Sequence, residues 1–485
     1  MAKHRLIFLY LSAILCLILI CTAPAFASEA DHGGRDLGAL LPIWSGIPFI
    51  GILLSIALFP LLAPVFWHHN FGKISLAWSL IFAIPFMLAY SGDALHSILH
   101  VYIIDYIPFI ILLGGLFTVS GGIYLRGTLA GTPVVNTALL LVGTILASLI
   151  GTTGASMLLI RPVLRVNRAR KNKIHVIVFF IFLVSNIGGS LTPLGDPPLF
   201  LGFLHGVPFF WTMNLLPVMG LVSGLLLLIL FLLDSVLYKR EGSPRLDEQI
   251  REPLKIEGAH NFLFLAGIIG AVLLSGLWNA SEFTIFGILV AWQDVVRDVL
   301  ILFVGWLSWR TTPKQVREDN GFTWFPIQEV ATLFFGIFMT IIPALAMLRA
   351  GEHGNLAFLV DAIKQPAHFF WAAGGLSSFL DNAPTYLTFF NLSLGRLGLT
   401  EPQASAILRG AVEGDVARQF ILELKAVSVG AVFMGANSYI GNAPNFMVRS
   451  IAEENKIQMP SFFGYMMWSV GILIPLFLVV TFVFF

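Results

Sequence analysis

The chain predicts an all-α polytopic membrane protein built from inverted repeats, each with a re-entrant hairpin and a broken transmembrane helix. Composition, the length of the apolar runs and a matched pair of polar interruptions predict it. Of 485 residues, 57% are hydrophobic and 11% charged, and mean hydropathy is +0.87. A soluble domain carries about 25% charged residues, so this chain cannot cover a water-facing surface. Runs such as 211–237, 324–348 and 463–485 reach the roughly 20 residues needed to span a bilayer as helix, and their continuity excludes the alternating pattern of a β-barrel. Two other apolar stretches are interrupted, by SNIGGSLTPLGDPP (185–198) and by GANSYIGNAPN (435–445).

The first element is a signal peptide over 1–27. Lys3 and Arg5 precede the short apolar core LIFLYLSAILCLILI (6–20), and Ala25-Phe26-Ala27 supplies a small-x-small cleavage site. An uncleaved first helix is the alternative. Cys16 and Cys21 both lie in this segment, so a chain starting at Ser28 has no disulfide, zinc-thiolate or thiol chemistry. Candidate spans then follow at 42–66, 74–91, 106–125, 133–160, 174–200, 211–237, 260–280, 295–309, 324–348, 367–392, 421–448 and 463–485. They divide into an N-terminal half (28–237), a polar cytoplasmic linker (238–258) and a C-terminal half (259–485).

Two spans behave as hairpins. Segment 133–160 breaks at GTTGAS (151–156), with Thr152 and Thr153 at the tip, and segment 367–392 breaks at DNAPT (381–385). Threading both as hairpins puts the basic runs 161–173, 239–255 and 310–317 inside. Arg35, Arg349, Lys364, Arg396, Arg409 and Arg418 then fall outside, as the positive-inside rule asks. The first hairpin then enters from the inside and the second from the outside. Each half also has a helix broken at a G-[DN]-x-P core, Gly195-Asp196-Pro197-Pro198 against Gly441-Asn442-Ala443-Pro444, with an amide upstream, Asn186 and Asn437. Inverted repeats with broken helices point to a transporter whose site lies at the midplane.

A broken helix exposes carbonyl oxygens on one half and N–H groups on the other, and the freed oxygens are hard ligands suited to Na⁺. Asp196 and Asp381 stand at the breaks, and an ionisable residue in the membrane is a functional-site candidate. As Na⁺ ligands they titrate between cation and proton, since burial favours the protonated form of a carboxylate and a nearby cation the ionised form. Asn186, Asn382, Asn437, Asn442, Ser185, Thr192, Thr385 and Ser438 can complete the shell. The plainer reading of Asp196 and of Asp381 is a helix cap. Arg161 is the nearest cationic partner for an anion, but it ends the first hairpin on the inner side. Asp93, His96 and His100 share one helix face, for which a wet surface is the simpler account. No Walker motif, nucleophile–base arrangement or cofactor site is present, so neither ATP-driven transport nor an enzyme is expected.

SNIGGSLTPLGDPP, SSFLDNAPTYLTFFN (377–391) and GANSYIGNAPNFMVRSIAEENKIQMPSFFGYMMWS (435–469) resemble the ion transporter superfamily, from about residue 42 to the C-terminus. Within it the chain is similar to NhaD-like sodium/proton antiporters and to bacterial citrate transporters. The resemblance implies inverted repeats, a homodimer and an elevator-like motion in the bacterial inner membrane. Asn186 and Asp196 match the NhaD pattern of an amide followed by Gly-Asp, but Pro198 and Leu199 replace its threonines and GTTGAS lacks its acids. The Ser-Asn-Thr tips of dicarboxylate transporters are absent as well. The leading expectation is exchange of Na⁺ or a similar monovalent cation for protons. The alternative is Na⁺- or H⁺-coupled transport of citrate or another small carboxylate. Lipid is the only other partner expected, and no nucleic acid.

Overall fold

The computed structural model describes residues 37–127, 129–242, 255–278 and 280–485. The predicted signal peptide, with both cysteines, and most of the polar linker lie outside the described residues. Eight helical stretches there are long and apolar enough to cross a membrane, and the protein is a multi-pass membrane protein.

The long helices begin with α1 (Ile47–Leu62), α2 (Pro64–His100) and α3 (Ile107–Ser120). Each has proline in its first turn, where the missing N–H has no intrahelical partner to lose. A π-helical segment, Val101–Tyr106, joins α2 to α3, so the spans expected at 74–91 and 106–125 belong to one continuous run. Ser91, at φ 42 and ψ −106, kinks α2 where the first of those spans was expected to end.

Next come α4 (Pro133–Ile150) and α5 (Thr152–Val166), which double back on each other. Asn136 near the start of α4 and Asn167 just past the end of α5 exchange amide hydrogen bonds of 3.0 and 2.7 Å. A side chain at Gly131 would meet Val166 O at 2.6 Å. The turn is narrower than GTTGAS suggests: Gly151 alone leaves the helix, at φ +80, and Thr152–Ser156 already belong to α5. Arg161 therefore sits inside α5 rather than ending the hairpin. The chain continues through α6 (Ile174–Leu183), a 3₁₀ turn (Ile187–Leu191), α7 (Pro197–Leu204) and α8 (Leu216–Arg240). The base of this hairpin is fastened by a buried network. Arg170 pairs with Asp234 (2.6 Å) and Glu241 (3.0 Å), while His175 and Asn136 also reach Asp234, at 3.0 and 2.8 Å.

After α9 (Asn261–Leu277), α10 (Trp292–Thr311) and α11 (Phe325–Arg349), the second set follows: α12 (Pro366–Ser377), α13 (Asn382–Leu397), α14 (Glu401–Leu408), α15 (Asp415–Met434), α16 (Ala443–Glu454) and α17 (Phe462–Phe484). Helix α12 runs parallel to α15, because Gly430 lies against Phe370 O and Asn437, just past α15, bonds to Ser378. Helix α13 runs the other way along α15, because Ser393 near its end reaches Glu423 near the start of α15 (2.7 Å). So α12 and α13 also form a hairpin. Its base lies beside the far end of α7, where His205 sits between Glu401 (3.0 Å) and Asp105 (3.3 Å). The base of the first hairpin lies beside the start of α6 and the end of α8. The hairpins thus come in from opposite ends of the bundle, as an inverted repeat requires.

Candidate functional site

The two breaks superpose residue for residue through their bonds. Thr192 Oγ1 donates to Ser148 O, and Ser438 Oγ donates to Ser378 O at 2.5 Å. A Cβ on Gly195 would lie 2.1 Å from Gly189 O, and one on Gly441 2.6 Å from Gly435 O, so glycine is required at both close backbone approaches. Asp196 and Asn442, 246 positions apart, are N-caps with nearly the same extended backbone, φ −146 and ψ 142 against φ −153 and ψ 139. This register pairs Gly151 with Asp381 and Thr152 with Asn382 at the tips. In this register the upstream amides are not at equivalent positions: Asn437 corresponds to Leu191, and Asn186 to Val432.

Both tips and both breaks converge on Asp196, which is 1% exposed. Its Oδ1 accepts from Thr152 Oγ1 (2.9 Å) and Asn442 Nδ2 (3.0 Å), and its Oδ2 from Asn382 Nδ2 (2.5 Å). Thr152 N donates to Gly195 O at 2.8 Å and holds the first tip against its own break. Asp196 does not cap α7 with its side chain: Pro197 and Pro198 carry no N–H, and Leu199 N donates to the Asp196 backbone carbonyl instead. Asn442 also donates to Ser185 O (3.1 Å) and Asn186 Oδ1 (3.3 Å). Asn186 donates in turn to Asn445 Oδ1 (2.7 Å), and Asn445 to Gly435 O and Ser438 O. Asn445 stitches the repeats together and was missed, although it lies within GANSYIGNAPN.

The remaining expected residues lie around this core. Asp381 caps α13, accepting from Ala383 N (3.1 Å), and Thr385 Oγ1 donates to Asp381 O. Neither bonds to Asp196; the neighbour Asn382 does. Ser185 meets Ser156 at 2.8 Å. Thr192 and Ser438 also receive the N–H of Leu194 and Ile440, at 3.2 Å each, so both hydroxyls brace the breaks. Asn437 Nδ2 donates to Ser378 Oγ at 2.9 Å. The buried oxygens Asn382 Oδ1 and Asn437 Oδ1 have no partner among the described residues. A carboxylate with amide oxygens close by is a donor set for a hard monovalent cation or a proton. Among the described residues no group of three or more His, Cys, Asp or Glu is placed to hold a metal, so Asp93, His96 and His100 form no such site.

A cavity of about 350 Å³ reaches this core from one end of the bundle. Thr152, Thr153, Gly154, Gly195, Pro197, Ala443 and Pro444 line its deep part, and Arg161, Ser450, Glu329 and Glu454 line it as well. The first turns of α5 and α16 therefore face one space, and neither has a side-chain cap. Helix N-termini favour anions; here Thr152 N is already engaged by Gly195 O, and Pro444 removes one N–H from the first turn of α16. A second cavity, of about 540 Å³, is lined by Phe203, Phe209 and Arg297 and by none of the tip residues.

Residues 38–485 match the model of a family described as "Putative citrate transport". The match covers nearly the whole chain, and the protein belongs to that family of membrane transporters. No curated protein matches it.

Proposed function

We propose that the protein carries a carboxylate anion of the citrate class across the membrane, coupled to a monovalent cation or proton taken up at Asp196. One observation carries the reading: the N-termini of α5 and α16 share a cavity that ends at Thr152, whose hydroxyl bonds to Asp196. A place that attracts an anion thus adjoins a place that attracts a cation. Asp196 as an ion would repel an incoming carboxylate, and neutralising it with Na⁺ or H⁺ removes that repulsion, which is a direct physical basis for coupling. A cavity of this size lies within the ~300–1,000 Å³ typical of small-molecule sites.

The basic runs around 161–173 and 310–317 support a cytoplasmic open end for the cavity. The resemblance to bacterial ion transporters supports a bacterial inner membrane and a homodimer, with halves 28–237 and 259–485 joined by the linker 238–258. Purified protein in liposomes should accumulate labelled citrate when an inward Na⁺ or proton gradient is imposed, and not without one. A second reading, cation/proton exchange with no anion, is favoured by the unpartnered amide oxygens Asn382 Oδ1 and Asn437 Oδ1. It predicts that Na⁺ pulses change the pH inside citrate-free vesicles. Exchange without citrate uptake would replace the first reading with the second.

A further inference from the structure

Arg161 stands apart from the other basic residues of its stretch. Arg165 bonds to Tyr124 and to Leu125 O, and Arg170 is bound by Asp234, Glu241 and Gly131 O. Arg161 forms no ion pair or hydrogen bond among the described residues, and its Nη1 is buried without a partner. Arg161 as a whole is only half-buried, but burying a guanidinium N–H without an acceptor is costly. Its position is nonetheless fixed: a Cβ on Gly321, at φ +58, would lie 2.2 Å from Arg161 Nη2, so the loop backbone packs directly against the guanidinium. The side chain lines the same cavity as the first turns of α5 and α16. Glu454 and Glu329 also line that cavity; Glu454 is near enough to act on Arg161 electrostatically, but forms no ion pair with it among the described residues.

Resting on the carboxylate reading above, we infer that Arg161 binds a second carboxylate of the substrate and selects polycarboxylates over monocarboxylates. Arg161 lies nine residues along α5 from Thr152, about 14 Å between Cα atoms, and helical side chains lean toward the N-terminus, which closes part of that gap. The half-helix N-termini then take one carboxylate at the deep end, and the arginine fork takes another nearer the mouth. Guanidinium and carboxylate match in a bidentate pair, which lysine cannot reproduce. A monocarboxylate satisfies one end only. Glu454 faces the bound anion from α16 and opposes it.

The test is uptake by the full chain in proteoliposomes, with citrate, succinate and acetate as substrates. Arg161→Gln should raise the citrate KM by about tenfold or more, with maximal rate largely kept, and narrow the preference for citrate over acetate. Arg161→Lys should recover part of the loss. Glu454→Gln should lower the citrate KM, an effect in the opposite direction that a purely structural arginine does not predict. If citrate KM is unchanged in Arg161→Gln and in Glu454→Gln while the wild type transports citrate, the role of Arg161 is wrong and the carboxylate reading stands. If the wild type takes up none of the three anions, both fall together. Should Arg161→Gln fail to fold, the lysine and Glu454 variants still decide.

Discussion

Asp196→Asn is the sharpest perturbation of the proposed coupling site. Asparagine keeps the shape of the side chain and one oxygen, and the surroundings can accept it. Asp196 Oδ1 holds two donors, Thr152 and Asn442, while Oδ2 holds only Asn382. An asparagine that keeps its oxygen at the Oδ1 position turns its NH₂ toward Asn382. A half-turn of the Asn382 amide then presents Oδ1, which has no partner among the described residues. The exchange keeps every hydrogen bond, so stability should change by only about 1 kcal/mol, the difference between a charge-assisted and a neutral bond. Cation binding should suffer far more. A unit charge about 4 Å away at an effective dielectric of ~20 contributes about 4 kcal/mol, roughly a thousandfold in affinity. The assay is citrate uptake in proteoliposomes as a function of Na⁺ at several pH values, with thermal unfolding in detergent as the folding control. In the wild type, protons compete with Na⁺ for the carboxylate, so apparent Na⁺ affinity should fall as pH drops. In Asp196→Asn the Na⁺ dependence should vanish and uptake should no longer respond to pH. Wild-type Na⁺ activation in a correctly folded Asp196→Asn protein would refute the assignment.

Other expectations follow from the frame around the site. Asp234→Ala leaves Arg170 and His175 buried without their shared acceptor and should cost about 3–5 kcal/mol, read as a lowered unfolding temperature in detergent. Arg418→Ala, which breaks an exposed pair with Asp415, should leave that temperature unchanged. Gly195→Ala drives a Cβ to 2.1 Å from Gly189 O and should abolish citrate uptake, whereas Gly471→Ala, with nothing within 4 Å, should transport normally. With Cys16 and Cys21 replaced by serine, Thr153→Cys should react with an impermeant maleimide from the cytoplasmic side only. Thr385→Cys, at a position 1% exposed, should resist it from both sides.

The architecture was legible because its signals are local. Glycine, proline and amides inside an apolar run break a helix wherever it packs, and their recurrence in both halves, with basic runs to orient them, was enough to expect the hairpins. What was not legible depends on phase and on partners. Asn186 and Asn437 look like counterparts in the sequence, yet the register is set by Thr192 and Ser438 reaching the hairpin tips, and that places both amides elsewhere. Asp381 and Asn382 are neighbours, and the start of α13 decides between them: Asp381 becomes the cap, and Asn382 turns inward to Asp196. Arg161-Pro162 reads as a helix end because proline disfavours helix before it, but α5 runs through Pro162 to Val166, packed on nearly every side. The same reading hid the arginine inside a cavity.

The register also bears on why two like breaks make one ion site. Backbone geometry repeats closely at Asp196 and Asn442, and Gly189 and Gly195 recur as Gly435 and Gly441, but the side chains around the carboxylate differ: Gly151 against Asp381, Thr152 against Asn382, Leu191 against Asn437. The symmetric backbone supplies two hinged breaks facing each other from opposite ends of the bundle, which is what a change of access requires. Symmetric side chains would defeat the chemistry. An acid at both breaks would put two carboxylates within hydrogen-bonding distance, and such a pair holds a shared proton tightly rather than releasing it to a cation. At the breaks themselves one acid, with an amide in the twin position donating to it, suits the proposed uptake of one Na⁺ or H⁺, with Asp381 as a further acid nearby. On the proposed coupling, the backbone symmetry would serve the movement and the departure from it in the side chains the coupling.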